Sequence, residues 1–129
     1  MRGLIAVVLL VVAVSGCQNV HVEPIYTVQN HPIAPASRGM KAEGISQAIA
    51  QAAQSSGWMV ERIGPDQLKA TQKWEDHAVI VSISDDDQAF SIRNNGSINL
   101  KEHDGLIHRQ YNARVRALEA AIEKQLSQK

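Results

Sequence analysis

The feature that most constrains this chain is an apolar run, residues 4–14, that ends shortly before Cys17, the only cysteine. At about 11 residues the run has the length of a signal-peptide core and is shorter than the ~20 residues of a membrane-spanning helix. The two residues before the cysteine are small, as a cleavage site requires. We therefore expect residues 1–16 to be removed, and residues 17–129 to fold without an internal disulfide.

The sequence Val14-Ser15-Gly16-Cys17 resembles the lipobox of bacterial lipoproteins. This resemblance implies that Cys17 carries a thioether-linked diacylglycerol and becomes the mature N-terminus, anchored stably by two or three acyl chains. Gln18 stands where an aspartate would signal retention at the inner membrane. The resemblance thus implies a lipid-anchored envelope protein on the periplasmic face of the outer membrane, with no cofactor besides the covalent lipid.

The charge balance of the chain argues against nucleic acid as a partner. The sequence has 13 basic and 13 acidic residues, so neither sign dominates. A nucleic-acid surface needs a clear excess of lysine and arginine, and stacking platforms need several aromatic side chains. The few aromatic residues are Tyr26, Trp58, Trp74, Phe90 and Tyr111.

Residues 17–41 are predicted to form the lipidated N-terminus and a tether. Three prolines punctuate this stretch, and its apolar residues show no helical or strand period. A flexible segment of this length reaches roughly 25–30 Å. Four apolar residues leave open the alternative that part of the segment packs on the domain or forms an edge strand. They are Val22, Ile25, Tyr26 and Val28.

The remainder, residues 42–129, is predicted to be one domain that begins with a helix over 42–56. Apolar residues recur there at helical spacing, and Gly57 fits the position after a helix end, where a positive φ is common. Alternating polarity then predicts strands at 58–63, 68–74, 77–84 and 89–93. Asn95-Gly96 is a turn signal that leads either to a short fifth strand or to a bulge within the fourth.

A final helix is predicted to begin after Asp104, which is suited to be its N-cap residue. One apolar stripe runs along it and would face the sheet. Its members are Ile107, Tyr111, Val115, Leu118, Ile122 and Leu126.

Short links between the strands favour an antiparallel meander. We therefore predict an α+β, two-layer domain with a meander of three to five strands, flanked by an N-terminal and a C-terminal helix.

Several motifs of this domain resemble a family of small proteobacterial lipoproteins without an established activity. They are Gly57-Trp58, the His77-x-Val79-x-Val81-x-Ile83 pattern, Phe90-Ser91-Ile92, Ser97-x-Asn99-Leu100 and Asp104-Gly105-x-Ile107-His108-x-x-Tyr111-Asn112. The resemblance covers about residues 40–126 and implies an envelope lipoprotein. Arg114 and Asn94 depart from the family pattern, in which aromatic residues are expected at these two positions.

The strongest candidate binding surface is His108, Tyr111 and Asn112 at the start of the last helix. They are neighbours at i, i+3 and i+4, so their polar atoms can meet one ligand. The alternative is structural: these side chains hold the helix on the sheet, with the tyrosine hydroxyl bonded to a sheet carbonyl. Trp74 and Phe90 extend the candidate surface toward a sugar or other small ligand.

No catalytic or metal-binding motif stands out in the sequence. The five histidines form no compact ligand pair. His103, Asp104 and His108 could converge with Asp85-Asp86-Asp87, but the triple aspartate is better interpreted as a charged turn. We expect no metal site.

The sequence thus predicts a non-enzymatic, lipid-anchored envelope module. It would bind an envelope protein through its sheet or through the His108–Asn112 end of the last helix. The alternative is a protein that binds a small ligand or a cell-wall glycan.

Overall fold

In the computed structural model, which describes residues 21–37 and 39–128, a five-stranded antiparallel sheet is covered on one face by two helices. The predicted signal peptide and Cys17 lie outside the described residues. The strands are β1 (Val22–Pro24), β2 (Val28–Pro32), β3 (Met59–Gly64), β4 (Gln67–Trp74), β5 (His77–Asp85), β6 (Ala89–Ile98) and β7 (Leu106–His108). The helices are α1 (Ala42–Ser55) and α2 (Arg109–Ser127), and a 3₁₀ turn, Pro35–Ser37, precedes α1.

The central meander follows the polarity of the sequence. The strands of the main sheet lie in the order β2-β6-β5-β4-β3, and every neighbouring pair is antiparallel. In β5, Val79, Val81 and Ile83 are fully buried against the helices, while the residues between them face outward and are partly exposed. The predicted α+β fold with its two flanking helices is confirmed.

A glycine ends α1 as predicted. Gly57 has φ +88°, and its N–H donates to the carbonyl of Gln54 (3.1 Å). The N–H of Trp58 donates to the carbonyl of Ala53 (3.0 Å), which completes a Schellman motif. This turn directs the chain from α1 into β3 and buries Trp58 beside the helix end.

The predicted turn at Asn95-Gly96 is a bulge instead. Val79 pairs with Ser97 and Val81 with Asn94, so β6 carries one extra residue and continues to Ile98. Gly96 takes φ +128° within it. The sequence allows either a short fifth strand or a bulge within the fourth, and the structure has the bulge.

The last helix begins later than predicted. Asp104 has φ +50° and belongs to the turn before β7, so His108 rather than Asp104 caps the helix. Ile107, which fits the helical stripe in sequence, is a buried residue of β7.

The tether interpretation needs correction for the residues that the structure describes. β1 pairs with β7, and β2 pairs with β6 at one edge of the main sheet. Val28 and Ile33 are buried in the core, and the Ser37 hydroxyl donates to the carbonyl of Leu126. Residues 22–37 are therefore part of the domain, as the docking alternative allowed.

Neither helix among the described residues has the length and apolar character required to cross a membrane.

Candidate functional site

A surface cleft of about 510 Å³ lies between α2 and the end of the β4–β5 hairpin. We call it the Trp74–Arg114 cleft. Its polar and aromatic lining comes mainly from Trp58, Gln72, Trp74, His77, Gln110 and Arg114.

The alternation of β4 places Trp74 in this cleft. Leu68, Ala70, Gln72 and Trp74 occupy every second position, so they share the face that meets the helices. Leu68 and Ala70 are buried in the core. Gln72 and Trp74 are nearer the hairpin end and remain partly exposed. Burial along this face of β4 therefore decreases toward the hairpin, and the ring of Trp74, its last residue, borders the cleft.

Arg114 lies over the indole of Trp74. Its Cζ is 3.5 Å from the ring centroid, close enough for a cation–π contact. An Nη1–H of Arg114 donates to Oε1 of Gln72 (2.7 Å), and Nε1–H of Trp74 donates to Oε1 of Gln110 (3.1 Å). These contacts hold the guanidinium in place with a ring and an amide.

No carboxylate balances this cation within the part of the chain that the structure describes. The ion pairs at N···O distances up to 4.0 Å there all involve histidines, not arginines. Glu75 lines the cleft without reaching Arg114 at this distance. The cleft therefore presents a positioned cation with no carboxylate within 4.0 Å among the described residues.

His108, a predicted binding residue, caps α2. Its Nδ1 accepts the N–H of Gln110 (3.1 Å), and its ring stacks on His21 with 5.8 Å between centroids. Burial, followed by the positive charge of His21 and Arg109, lowers the pKa of His108. A neutral ring keeps Nδ1 as an acceptor, so the environment favours the capping role.

Tyr111 and Phe90 are core residues rather than parts of an open surface. Their exposed fractions are 0% and 1%. Among the described residues, the hydroxyl of Tyr111 has no hydrogen-bond partner, which contradicts the predicted bond to a sheet carbonyl. Burial raises the pKa of Tyr111. Neither side chain can reach a ligand without a rearrangement of the core.

Asn112 holds the N-terminal segment against α2. Its Oδ1 accepts the N–H of Tyr26 (2.8 Å), and its Nδ2 donates to the carbonyl of Pro24 (2.9 Å) and to Glu23 (3.0 Å). The side chain is 1% exposed. The amide is therefore fully used by the fold, as the structural alternative for this motif predicts.

A second polar cluster reinforces this attachment. Glu119 accepts hydrogen bonds from the Tyr26 hydroxyl (2.5 Å) and, at 2.8 Å, contacts Nδ1 of His31. The bond to Glu119 raises the pKa of Tyr26. Arg116 lies over the Tyr26 ring, with Cζ 4.6 Å from its centroid. These groups pair with one another between the segment and the helix.

Three consecutive side chains in the β4–β5 hairpin could hold a metal ion. Glu75, Asp76 and His77 bring ligand atoms within 4.8 Å of one another. The two acids are exposed, Asp76 also accepts a bond from Asn99, and Nδ1 of His77 faces the Asn99 carbonyl. These contacts explain the cluster, because they hold the hairpin against the loop that contains Asn99.

The possible convergence of the triple aspartate with His103 and His108 does not occur. Ala78 at the start of β5 pairs with Ile98, and the N–H of His108 donates to the carbonyl of Leu100, so the histidines lie near the start of this nine-residue strand while Asp85 ends it. At ~3.3 Å per residue this separates them by roughly 26 Å.

Asp85 also departs from the predicted charged turn. Asp86 fits the prediction, because its Oδ1 caps the turn by accepting the N–H groups of Gln88 (2.7 Å) and Ala89 (2.8 Å). Asp85 instead is 7% exposed, and neither carboxylate oxygen has a hydrogen-bond partner within the described part of the chain. Burial, and then the charge of Asp66, raises the pKa of Asp85 to about 6.

Sequence reasoning found Trp74 but missed Gln72, Gln110 and Arg114. The available signal was helical: Gln110 and Arg114 are four residues apart, directly beside the apolar stripe of α2. Nothing in the sequence indicated that β4 would end opposite them.

Comparison with protein-family models, with curated proteins and with solved structures finds no match to this chain.

Proposed function

We propose that this chain is a non-enzymatic lipoprotein of the bacterial cell envelope that binds an envelope ligand in the Trp74–Arg114 cleft. The observation that carries the proposal is the unbalanced guanidinium of Arg114, held on the indole of Trp74 beside an open space. Polar groups that a fold needs for itself are normally paired within the protein. A charged group positioned without a charged partner is suited to a ligand instead.

The chemistry of the cleft favours binding over catalysis. Its central polar groups are two amides and a guanidinium, from Gln72, Gln110 and Arg114. These groups do not exchange protons near neutral pH, whereas a general base must do so. Glu75 and His77 also line the cleft, but Glu75 is exposed, and the two ring nitrogens of His77 contact the Asn99 carbonyl (2.8 Å) and Asp76 (3.4 Å).

The anchor in this proposal is a lipid on Cys17. Removal of residues 1–16 would leave the acylated cysteine at the membrane surface, and Gln18 favours the outer membrane. The domain would then face the periplasm, where carbohydrate and peptide components of the cell wall are available as ligands.

Metabolic labelling tests the anchor. Cells that express the wild-type chain are grown with radiolabelled palmitate beside cells that express Cys17→Ala. Label is expected on the wild-type protein alone. Equal labelling, or no labelling of either chain, would refute the lipid anchor.

Photo-crosslinking in cells tests the cleft. A benzophenone amino acid is placed at Ala113, in the wall of the cleft, and in a matched chain at Gln47, an exposed position on α1 outside it. Adducts specific to Ala113 are expected. Identical adducts at both positions, or none at Ala113, would refute the cleft as the binding site.

A protein partner on the sheet is the second candidate function. Its supporting observation is the apolar character of the uncovered face and of edge strand β3, where Met59, Ile63 and Ile98 are 59%, 47% and 53% exposed. Edge strands are common docking places for an added strand. The same crosslinker at Met59 tests this candidate, which predicts one discrete protein adduct there.

A further inference from the structure

We propose that the ligand of the Trp74–Arg114 cleft carries a single carboxylate, and that Arg114 is the residue that binds it. This inference rests on the proposed function, because it assigns a ligand chemistry to the same cleft.

The contacts of Arg114 among the described residues engage few of its hydrogen-bond donors. Cζ of the guanidinium lies over the indole ring, 3.5 Å from the centroid. A guanidinium carries five N–H donors, and the described contact uses one nitrogen, which donates to Gln72 at 2.7 Å. The remaining donors lie in the plane of the group, where two can meet both oxygens of a carboxylate at once.

The positioning of the side chain favours a tight interaction. An arginine on a free surface loses much rotamer entropy when it binds an anion. Here the ring of Trp74 and the amide of Gln72 already restrict the side chain before any ligand arrives. Gln110 in turn accepts from Nε1 of Trp74 and so braces the ring from α2.

The charge of the cleft favours a monoanion over a phosphate. Arg114 supplies one positive charge, and Glu75 at the rim supplies a negative one. A ligand with two negative charges would gain one ion pair but meet repulsion from Glu75, whereas a carboxylate needs only the one pair. Two parallel N–H groups can bind either anion, so the preference rests on the charge of the cleft.

The remaining walls limit the size of the group that bears the carboxylate. Ala113 and Ala117 lie one helical turn apart on α2 and keep that side of the cleft open, while Trp58 and Leu118 close its base. A volume of about 510 Å³ accommodates a small ligand rather than a long chain. Such a carboxylate occurs on a sugar acid of the cell wall or at the C-terminus of a peptide.

Calorimetric titration of the protein as it is isolated from cells, in detergent, tests this assignment. The probes are N-acetylmuramic acid, which bears a carboxylate, and N-acetylglucosamine, which lacks one. A second pair is N-acetyl-alanyl-alanine and its C-terminal amide. At least one acid is expected to bind about tenfold or more tightly than its neutral counterpart, since hydrogen bonds to a charged group have that magnitude. Whichever acid binds identifies the source.

Arg114→Gln is expected to weaken binding of that acid about tenfold or more. Arg116→Gln is the matched control, because Arg116 also lies over an aromatic ring but on the other flank of α2. It should bind like the wild type.

Equal binding of an acid and its neutral counterpart, an unchanged affinity in Arg114→Gln, or no binding of either acid would overturn the carboxylate assignment. The crosslinking at Ala113 remains a separate test of the cleft itself. A specific adduct there with a failed titration would refute the ligand chemistry but not the proposed function.

Discussion

Both flanks of α2 carry polar side chains, but those on one flank bond to the N-terminal segment and those on the other border an open cleft. Successive helical residues are about 100° apart, so Asn112 and Glu119 lie on one side of the buried stripe, and Gln110 and Arg114 lie on the other. On the first flank, the N-terminal segment binds the polar groups. On the second flank, Gln110 and Arg114 hold Trp74 and Gln72 but border open space.

The difference teaches how to separate structural polar groups from functional ones in this fold. An amide or carboxylate whose bonds all go to the protein is part of the packing, whatever its place in a motif. Among the described residues, Arg114 has an aromatic and an amide contact but no carboxylate within 4.0 Å. A cation without a paired carboxylate contributes little to the stability of the fold. The distinction can be tested through the free energy of unfolding.

Asn112→Ala should give the largest effect, a loss of about 3 kcal/mol, because the Tyr26 N–H and the Pro24 carbonyl lose their partner. Urea denaturation followed by circular dichroism measures it. Gln110→Ala, on the other flank, is the control and should change the value by less than about 0.5 kcal/mol. Similar losses in both variants would mean that the two flanks do not differ.

Asp85→Asn should stabilise the protein by about 2 kcal/mol at pH 8. A folded pKa of about 6, above the ordinary 3.8, means that protonation favours the folded state. The stability that this group contributes is fully present below pH ~3.8 and is lost as the pH rises through ~6. A shift of this size corresponds to ~3 kcal/mol, and the buried amide of asparagine offsets part of it.

Denaturation of the wild type and Asp85→Asn between pH 4 and pH 8 measures this difference. The advantage of the variant should shrink toward acidic pH. A constant difference would show that Asp85 does not titrate in this range. Asp87→Asn, at an exposed position two residues on, is the control.

Tyr111→Phe should stabilise the protein by about 1 kcal/mol. The hydroxyl is buried without a partner, so its removal relieves a desolvation cost and keeps the ring in the core. Thermal unfolding gives the change. A clear loss of stability would indicate that the hydroxyl makes a bond in solution, as the sequence had suggested.

Arg114→Gln should have the smallest effect on stability, within about 0.5 kcal/mol, because a partly exposed cation–π contact contributes little. Chemical denaturation under the conditions used for Asn112→Ala checks it. A loss above 2 kcal/mol would place Arg114 among the structural groups and remove the basis of the cleft proposal.

Local patterns predicted the parts of the fold that neighbouring residues determine. The alternation in β5 and the apolar stripe from Tyr111 to Leu126 each bury one face, which is visible in a single stretch of sequence. Gly57 is comparable, because its positive φ follows from the helix that precedes it.

Pairings between distant residues were not predictable in this way. Val22 pairs with His108, and each of these strands has only three residues, too few to show a period. Ile107 fits the helical stripe by spacing, but the left-handed turn at Asp104 and Gly105 places it in a strand. Its tertiary pairing partner decides whether Ile107 belongs to a helix or to a strand.

The candidate site followed the same rule. The sequence predicts aromatic residues as potential ligand contacts, but which of them are buried depends on the strand register and the helix position. Trp74 is at the end of its row and stays accessible, while Phe90 and Tyr111 lie inside. The contact between Arg114 and Trp74 joins residues 40 positions apart, so no local sequence pattern predicts it.

The early start of β1 has a mechanical consequence for an anchored molecule. Four Cα–Cα steps separate Cys17 from His21, so the anchor and the edge of the domain are at most roughly 15 Å apart, about half the reach expected of a tether. A domain of this size has a radius of gyration of about 13 Å. If Cys17 carries the proposed lipid, this short peptide connection would keep the cleft within about one domain width of the bilayer. The protein would search for ligand in two dimensions, along the membrane surface.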